Sequence, residues 1–282
     1  MSTAARTMVR RGSRGRAGKA ALAGLALFYV VALLLAPLAG IVYTAVQDGL
    51  STIVATLSQP DVLHAFYLTA IITAITVAVT AVLGVIVSLV LARHRFPGRS
   101  FLDALVDLPF ALSPVIVGLM AVLLFGRGGW FEPFFTAHGI RIVYAIPSMV
   151  LVTIFIAIPF VIREVAPTLE EAGTEDEEAA RTLGASPWQT FWRITLPKVR
   201  WALAYGAALS AARALGEVGA VLIVSGAIQG QTETATLYVL RAIENRQPAS
   251  AYIVALCLAA ASITFLAAIE IAKKRKAAEE AT

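Results

Sequence analysis

An all-α membrane fold with six transmembrane helices is predicted by three features of this 282-residue sequence. Its composition is 59% hydrophobic and 15% charged, with a mean hydropathy of +0.79. Soluble domains hold about 45–50% apolar and about 25% charged residues, so lipid must be the solvent for much of this surface. The apolar residues collect in six long runs, and the basic residues fall on alternate loops between them.

Residues 1–19 hold six Arg or Lys among Gly, Ser and Ala with no apolar periodicity, which predicts a basic cytoplasmic arm without a fold of its own. The uncharged run 20–47 follows. It exceeds the roughly 7–15 residues of a cleaved signal's apolar region and reads as the first span. Further spans are expected at 62–92, 104–125, 142–162, 201–227 and 249–271, closing a membrane domain over 20–271. The second run is longer than the roughly 20 residues a crossing needs, so its start is expected outside the hydrocarbon. A short cytoplasmic tail, 272–282, ends the chain.

The loops test this count. Loops 93–103 and 163–200 with both tails contain 18 of the 23 Arg and Lys, whereas loops 47–61, 126–141 and 227–248 contain four. Basic loops stay in the cytoplasm, so both termini are expected there, which requires an even number of spans. The net charge of +5 is thus a topological signal and not a nucleic-acid patch. Cys257 is the only cysteine and lies in an apolar stretch, so no disulfide or cysteine metal cluster is expected. The sequence has no H-E-x-x-H, no G-x-S-x-G and no G-x-x-x-x-G-K-[ST]. No catalytic residue, metal ligand or ATP site is therefore expected in this chain. Its three histidines, His64, His94 and His138, stand at loops or span edges.

Function concentrates in the longest cytoplasmic loop, 163–200. Glu170, Glu171, Glu175, Asp176, Glu177 and Glu178 open it, at the dipole-positive start of a short helix. Ala179, Ala180 and Leu183 give that helix a small apolar stripe, and Gly184 is placed to end it. Ser186, with Pro187 next and Gln189 three residues on, predicts a capping box for a second helix. Phe191, Trp192 and Ile194 supply its bulk, and Pro197 is expected to break it before the fifth span. On these local grounds alone, a hairpin lying on the membrane surface fits equally well.

Glu178, Ala179, Ala180, Gly184, Ile194, Leu196 and Pro197 also resemble, at every position, the coupling motif E-A-A-x₃-G-x₉-I-x-L-P of ABC importer permeases. The similarity extends over about 105–239, most closely to W-type permeases of the sulfate/molybdate family. FGRGGWF at 125–131, GTEDEEAARTLGAS at 173–186, WQTFWRITLP at 188–197, ARALGEVGAVLIVSG at 212–226 and GAIQGQTETATL at 226–237 carry it. Two positions depart from the family pattern: Thr236 where a Pro is usual, and Gln229 where a basic residue is common. Both are expected in an external loop.

The resemblance implies a type I ABC importer permease fold. Its coupling loop, about 170–197, would dock on a cytoplasmic ATP-binding subunit through Glu178, Ala179, Ala180, Leu183 and Gly184. It implies a core shared with a T-type permease, a dimer of ATP-binding subunits that hold ATP and Mg²⁺, and an extracytoplasmic sulfate-binding protein. The cargo implied is an oxyanion, sulfate or thiosulfate first, with molybdate and tungstate as alternatives. A bacterial inner-membrane location follows. A secondary transporter, the competing class, has no need of such a docking loop.

Inside the spans, Arg213 and Glu217 stand four residues apart in the fifth run. Ionisable groups at that depth usually face the bundle interior, and they read as lining or gating the path, although an orienting ion pair is the simpler role. Asp107 reads as an interfacial residue. Pro109, Ser113 and Pro114 in the third run predict a hinged helix at the path, because prolines free carbonyls that lipid cannot satisfy. Pro147 and Pro159 make the same point more weakly for the fourth run.

Overall fold

The computed structural model describes residues 11–280, with side chains described from residue 22 to residue 274 except at residue 34. Residues 1–10 of the expected arm and 281–282 of the tail lie outside the described residues. All regular structure among the described residues is helical. Helix α1 runs Arg11–Val46, so the expectation of an unfolded arm fails for residues 11–19. Extending a helix already nucleated by an apolar span costs far less than starting one.

A short α2, Gly49–Leu57, leads into α3, Pro60–Arg93. Then come α4 (Arg99–Ala111), α5 (Pro114–Phe125), α6 (Glu132–Ala137) and α7 (Ile146–Glu171). Four helical stretches are long and apolar enough to cross a bilayer: Leu22–Val46, Pro60–Arg93, Ile146–Glu171 and Pro248–Lys274. Two further helix pairs are long and apolar enough together but are bent. One joins α4 to α5 at 111°; the other joins Pro187–Leu215 to Gly219–Ser225 at 58°. Counted as one span each, they bring the total to six, in the expected order.

The break in the third run has a local cause. Leu112 (ψ 138°) and Ser113 (ψ 137°) are both extended, and Pro114 disfavours helical geometry in the residue before it. Pro114 then opens α5, where its missing N–H costs nothing. Pro159 and Pro167 are carried inside α7 without a break, and Pro147 only starts that helix. Pro147 and Pro159 therefore mark no hinge.

Helix α7 is the hub of the bundle; it packs on α3 and on α10, Leu196–Leu215. Glycines make both approaches close. A Cβ on Gly84 of α3 would lie 2.6 Å from Val161, and one on Gly206 of α10 would lie 2.9 Å from the Val161 Cα. Small residues take this role where lipid gives helices no hydrophobic reason to associate. Helix α1 touches only the last helix, α13 (Pro248–Glu280), and α2 among the stronger contacts. The main core joins Leu68 and Ile72 of α3 with Val117 and Ala121 of α5, and Met149, Val152 and Ile156 of α7. Ala220, Val221 and Val224 of α11 (Gly219–Ser225), with Leu237, complete it.

Candidate functional site

The cytoplasmic element forms as its local chemistry demands. Helix α8, Glu175–Thr182, carries four acidic residues in its first turn. It ends in a Schellman motif: the Ala185 N–H donates to the Ala180 carbonyl at 3.0 Å and the Gly184 N–H to that of Arg181 at 3.0 Å. Gly184 sits at φ +84°, a geometry that L side chains rarely adopt. The Ser186 hydroxyl then accepts from the Gln189 N–H at 3.3 Å, and the Gln189 side chain accepts from the Ser186 N–H at 2.9 Å. This capping box opens α9, Pro187–Thr190.

The expected break at Pro197 does not occur. A π-turn, Phe191–Thr195, takes up the mismatch and passes straight into α10, with the Leu196 N–H reaching back to the Phe191 carbonyl. The wider i→i+5 pattern relieves the ladder next to a residue with no N–H to give.

The residues expected to couple lie on one accessible element. Glu178 is exposed and its carboxylate accepts from the Thr174 hydroxyl at 2.7 Å. Ala179 and Gly184 are exposed, Ala180 is half-buried, and Leu183 is 88% exposed. Trp188 and Trp192 are exposed beside them, in edge contact with a ring separation of 5.5 Å. Leu183, Trp188 and Trp192 thus form an exposed apolar group at the end of a polar helix.

Sequence reasoning leaves Glu177 undistinguished in the acidic run. The structure buries it and gives it Arg93 at 3.0 Å and the Thr195 hydroxyl at 3.0 Å. Two outer pairs, Lys198–Asp176 at 2.6 Å and Arg99–Glu170 at 2.7 Å, flank this contact. Asp107 also has a partner: Arg163 lies 2.6 Å from it and 2.9 Å from Asp103.

The second group lies where the two bent spans meet. Arg213 Nη1 is 2.7 Å from Glu217 Oε2, as their spacing suggests. They do not share one helix, however: α10 stops at Leu215 and Glu217 stands in the break. No proline marks this break; Gly216 and Gly219 flank it. Glu217 Oε1 accepts from the Ala220 N–H at 2.8 Å and so caps the start of α11. Oε2 is fully buried and has the Arg213 charge beside it without a hydrogen bond.

The two breaks touch. A Cβ on Gly219 would lie 3.1 Å from Pro114, and one on Gly118 would lie 2.8 Å from the Ala220 carbonyl oxygen. Pro114 and Glu217 are thus brought into one region, with Ser113 exposed at its edge; Pro109 is buried a turn earlier within α4.

The stretch expected as an external loop, 227–248, largely folds into the bundle. It holds α12, Ala235–Glu244, and buries Thr232, Glu233, Thr234 and Thr236. Thr236 is therefore no external loop residue. Its hydroxyl donates to the Glu217 carbonyl at 2.7 Å. Glu233 is paired through both oxygens with Arg241, at 2.5 and 2.9 Å. The hydrogen bond with Glu233 holds the Arg241 guanidinium above its ordinary pKa against the opposing effect of burial. Gln229, exposed, donates to Asp61.

Intact and broken spans together, with an exposed capped helix pair on the side of the basic loops, define a multi-pass membrane permease. The chain belongs to the family described as binding-protein-dependent transport system inner membrane component, which matches residues 81–277. It is 46% identical over 246 residues to a sulfate transport system permease protein CysW of Synechococcus elongatus, covering 87% of this chain and 86% of that one. It is 45% identical over 215 residues to the CysW protein of Escherichia coli K12, covering 76% and 74%. The CysT protein of the same organism is 36% identical over 252 residues, covering 89% and 91%. Its fold is similar to a chain in the crystal structure of a bacterial alginate ABC transporter bound to its periplasmic protein. The TM-score is 0.75 over 93% of this chain and 96% of that chain, at 18% identity.

Proposed function

We propose that this chain is the W-type permease half of an ATP-driven importer that carries sulfate across the bacterial inner membrane by alternating access. The observation that carries the reading is 46% identity to a sulfate permease across 86% of that protein's length. The complete coupling motif, folded as an exposed helix pair, supports the ATP-driven class over a secondary transporter.

In this reading a dimer of ATP-binding subunits holds ATP and Mg²⁺ and docks on Glu178, Ala179, Ala180, Leu183 and Gly184. A T-type permease forms the other half of the core, and an extracytoplasmic sulfate-binding protein delivers the anion. This chain needs no cofactor and performs no chemistry of its own. Both termini lie in the cytoplasm. Movement of α8 and α9 passes through the π-turn into α10, and the juxtaposed breaks let α5 and α11 turn against the intact helices. Arg213 offers the dianion a compensating charge beside the break, while few other intramembrane charges hold it back.

The test is radiolabelled sulfate uptake in a strain lacking its own sulfate permeases, with this chain supplied alongside its three partner types. Uptake that needs all of them and stops on ATP depletion is expected. Uptake of molybdate but not sulfate would replace the substrate, and uptake without the ATPase would replace the class.

A further inference from the structure

Two adjacent carboxylates on α8 face opposite ways. Glu178 points to solvent, whereas the Glu177 side chain is 8% exposed and the Arg93 side chain facing it 11%. We propose that Arg93 and Glu177 are positioning residues that join the docking helix to the membrane helices, so that motion of α8 becomes motion of the spans. The proposal rests on the reading of α8 as the ATPase docking element.

Arg93 is the last residue of α3. Its Nη1 donates to the Leu169 carbonyl at 2.7 Å and its Nη2 to the Gly173 carbonyl at 2.8 Å, at the end of α7. Helix ends leave such carbonyls without partners, and a planar guanidinium with several fixed donors suits them. The same Nη2 donates to Glu177 Oε1 at 3.0 Å, and that oxygen also accepts from the Thr195 hydroxyl at 3.0 Å. One ion pair therefore gathers four elements: α3, the end of α7, α8 and the π-turn that feeds α10.

The ion pair itself is a weak source of stability, apart from the two carbonyls that Arg93 satisfies. A buried ion pair repays little more than its desolvation, and apolar replacements of similar volume are often equally stable. Its use is to fix one geometry. Without it α8 keeps its Schellman end and α9 its capping box, because both are local, but among the described residues no other buried ion pair or side-chain hydrogen bond holds α8 to α3. The outer pairs, Lys198–Asp176 and Arg99–Glu170, are too exposed to replace it; such pairs contribute about 0–1 kcal/mol.

The test uses the assembled transporter, purified and reconstituted in vesicles with its ATPase, its second permease and the binding protein. Sulfate transported per ATP hydrolysed is the readout, with ATPase co-purification measured alongside. Glu177→Gln should still co-purify the ATPase and hydrolyse ATP, while transport per ATP falls about tenfold, within the usual range of coupling free energies. Arg93→Leu with Glu177→Leu should melt no lower than Glu177→Leu alone, because no charge is orphaned, yet below the wild type, because the Leu169 and Gly173 carbonyls lose their donor, and it should remain uncoupled. Arg93→Lys should couple partially, since one ammonium cannot serve three acceptors in a plane. Wild-type coupling in Glu177→Gln, or restored coupling in the double variant, would overturn the proposal. A wild-type complex that fails to retain the ATPase would instead reject the docking reading itself.

Discussion

The Thr236 hydroxyl donates a 2.7 Å hydrogen bond to the Glu217 carbonyl, tying α12 to the break between α10 and α11. The next amide upstream, Ala235 N–H, donates to the Thr69 hydroxyl of α3 at 2.9 Å. The outer helix thus holds the break on one side and α3 on the other. Thr236→Val keeps the shape and leaves the carbonyl short of a partner, a loss of about 1–3 kcal/mol for a buried group. Sulfate uptake should fall in Thr236→Val and be largely kept in Thr236→Ser, at equal membrane levels by immunoblot.

Gly184 stands at φ +84° with open space around it, so its role is conformational and not steric. Gly184→Val should cost about 1–2 kcal/mol at the end of α8. It should insert normally, lose ATPase co-purification and lose uptake. Normal uptake at normal abundance would remove Gly184 from the coupling element.

The basic loops predict the orientation of the chain. A reporter fused after Lys276 should be cytoplasmic, and one inserted near Asp48 or Gln247 should be external. Gln247 is a better site than the nearby Glu233, whose buried pairing with Arg241 an insertion would destroy. An external carboxyl terminus, read by reporter activity in intact cells, would mean that a bent pair does not cross.

Arg213 and Glu217 separate scaffolding from transport. Glu217→Leu alone leaves the Ala220 N–H without its acceptor and Arg213 without its counter-charge, so it should destabilise by about 1–3 kcal/mol, seen as a lowered melting temperature. Arg213→Leu with Glu217→Leu should regain part of that stability and assemble, yet carry little sulfate. Full uptake by the double variant would make the pair scaffolding only.

What the sequence disclosed follows the range of the forces involved. The Ser186–Gln189 box and the Gly184 turn are legible because donor and acceptor lie within five residues. The Pro114 break is legible for the same reason. Glu177 is not: its neighbours give it the same local character as Glu178, and its partner is 84 residues away. The break at Glu217 carries no proline, and it is held open by contacts with Pro114 and Thr236 that no local pattern encodes. Pro197 misleads because a single wide turn accommodates it.

That wide turn also sets a phase. An α-helix advances about 100° per residue, so the residue accommodated between Phe191 and Thr195 determines which way every later side chain of α10 points. Remove one residue there, leave the ends in place, and Gly206 swings away from Val161 while a bulkier neighbour takes its seat. The turn at the water boundary acts as the index mark of the whole rod, and length changes in this chain are tolerable only where they preserve it.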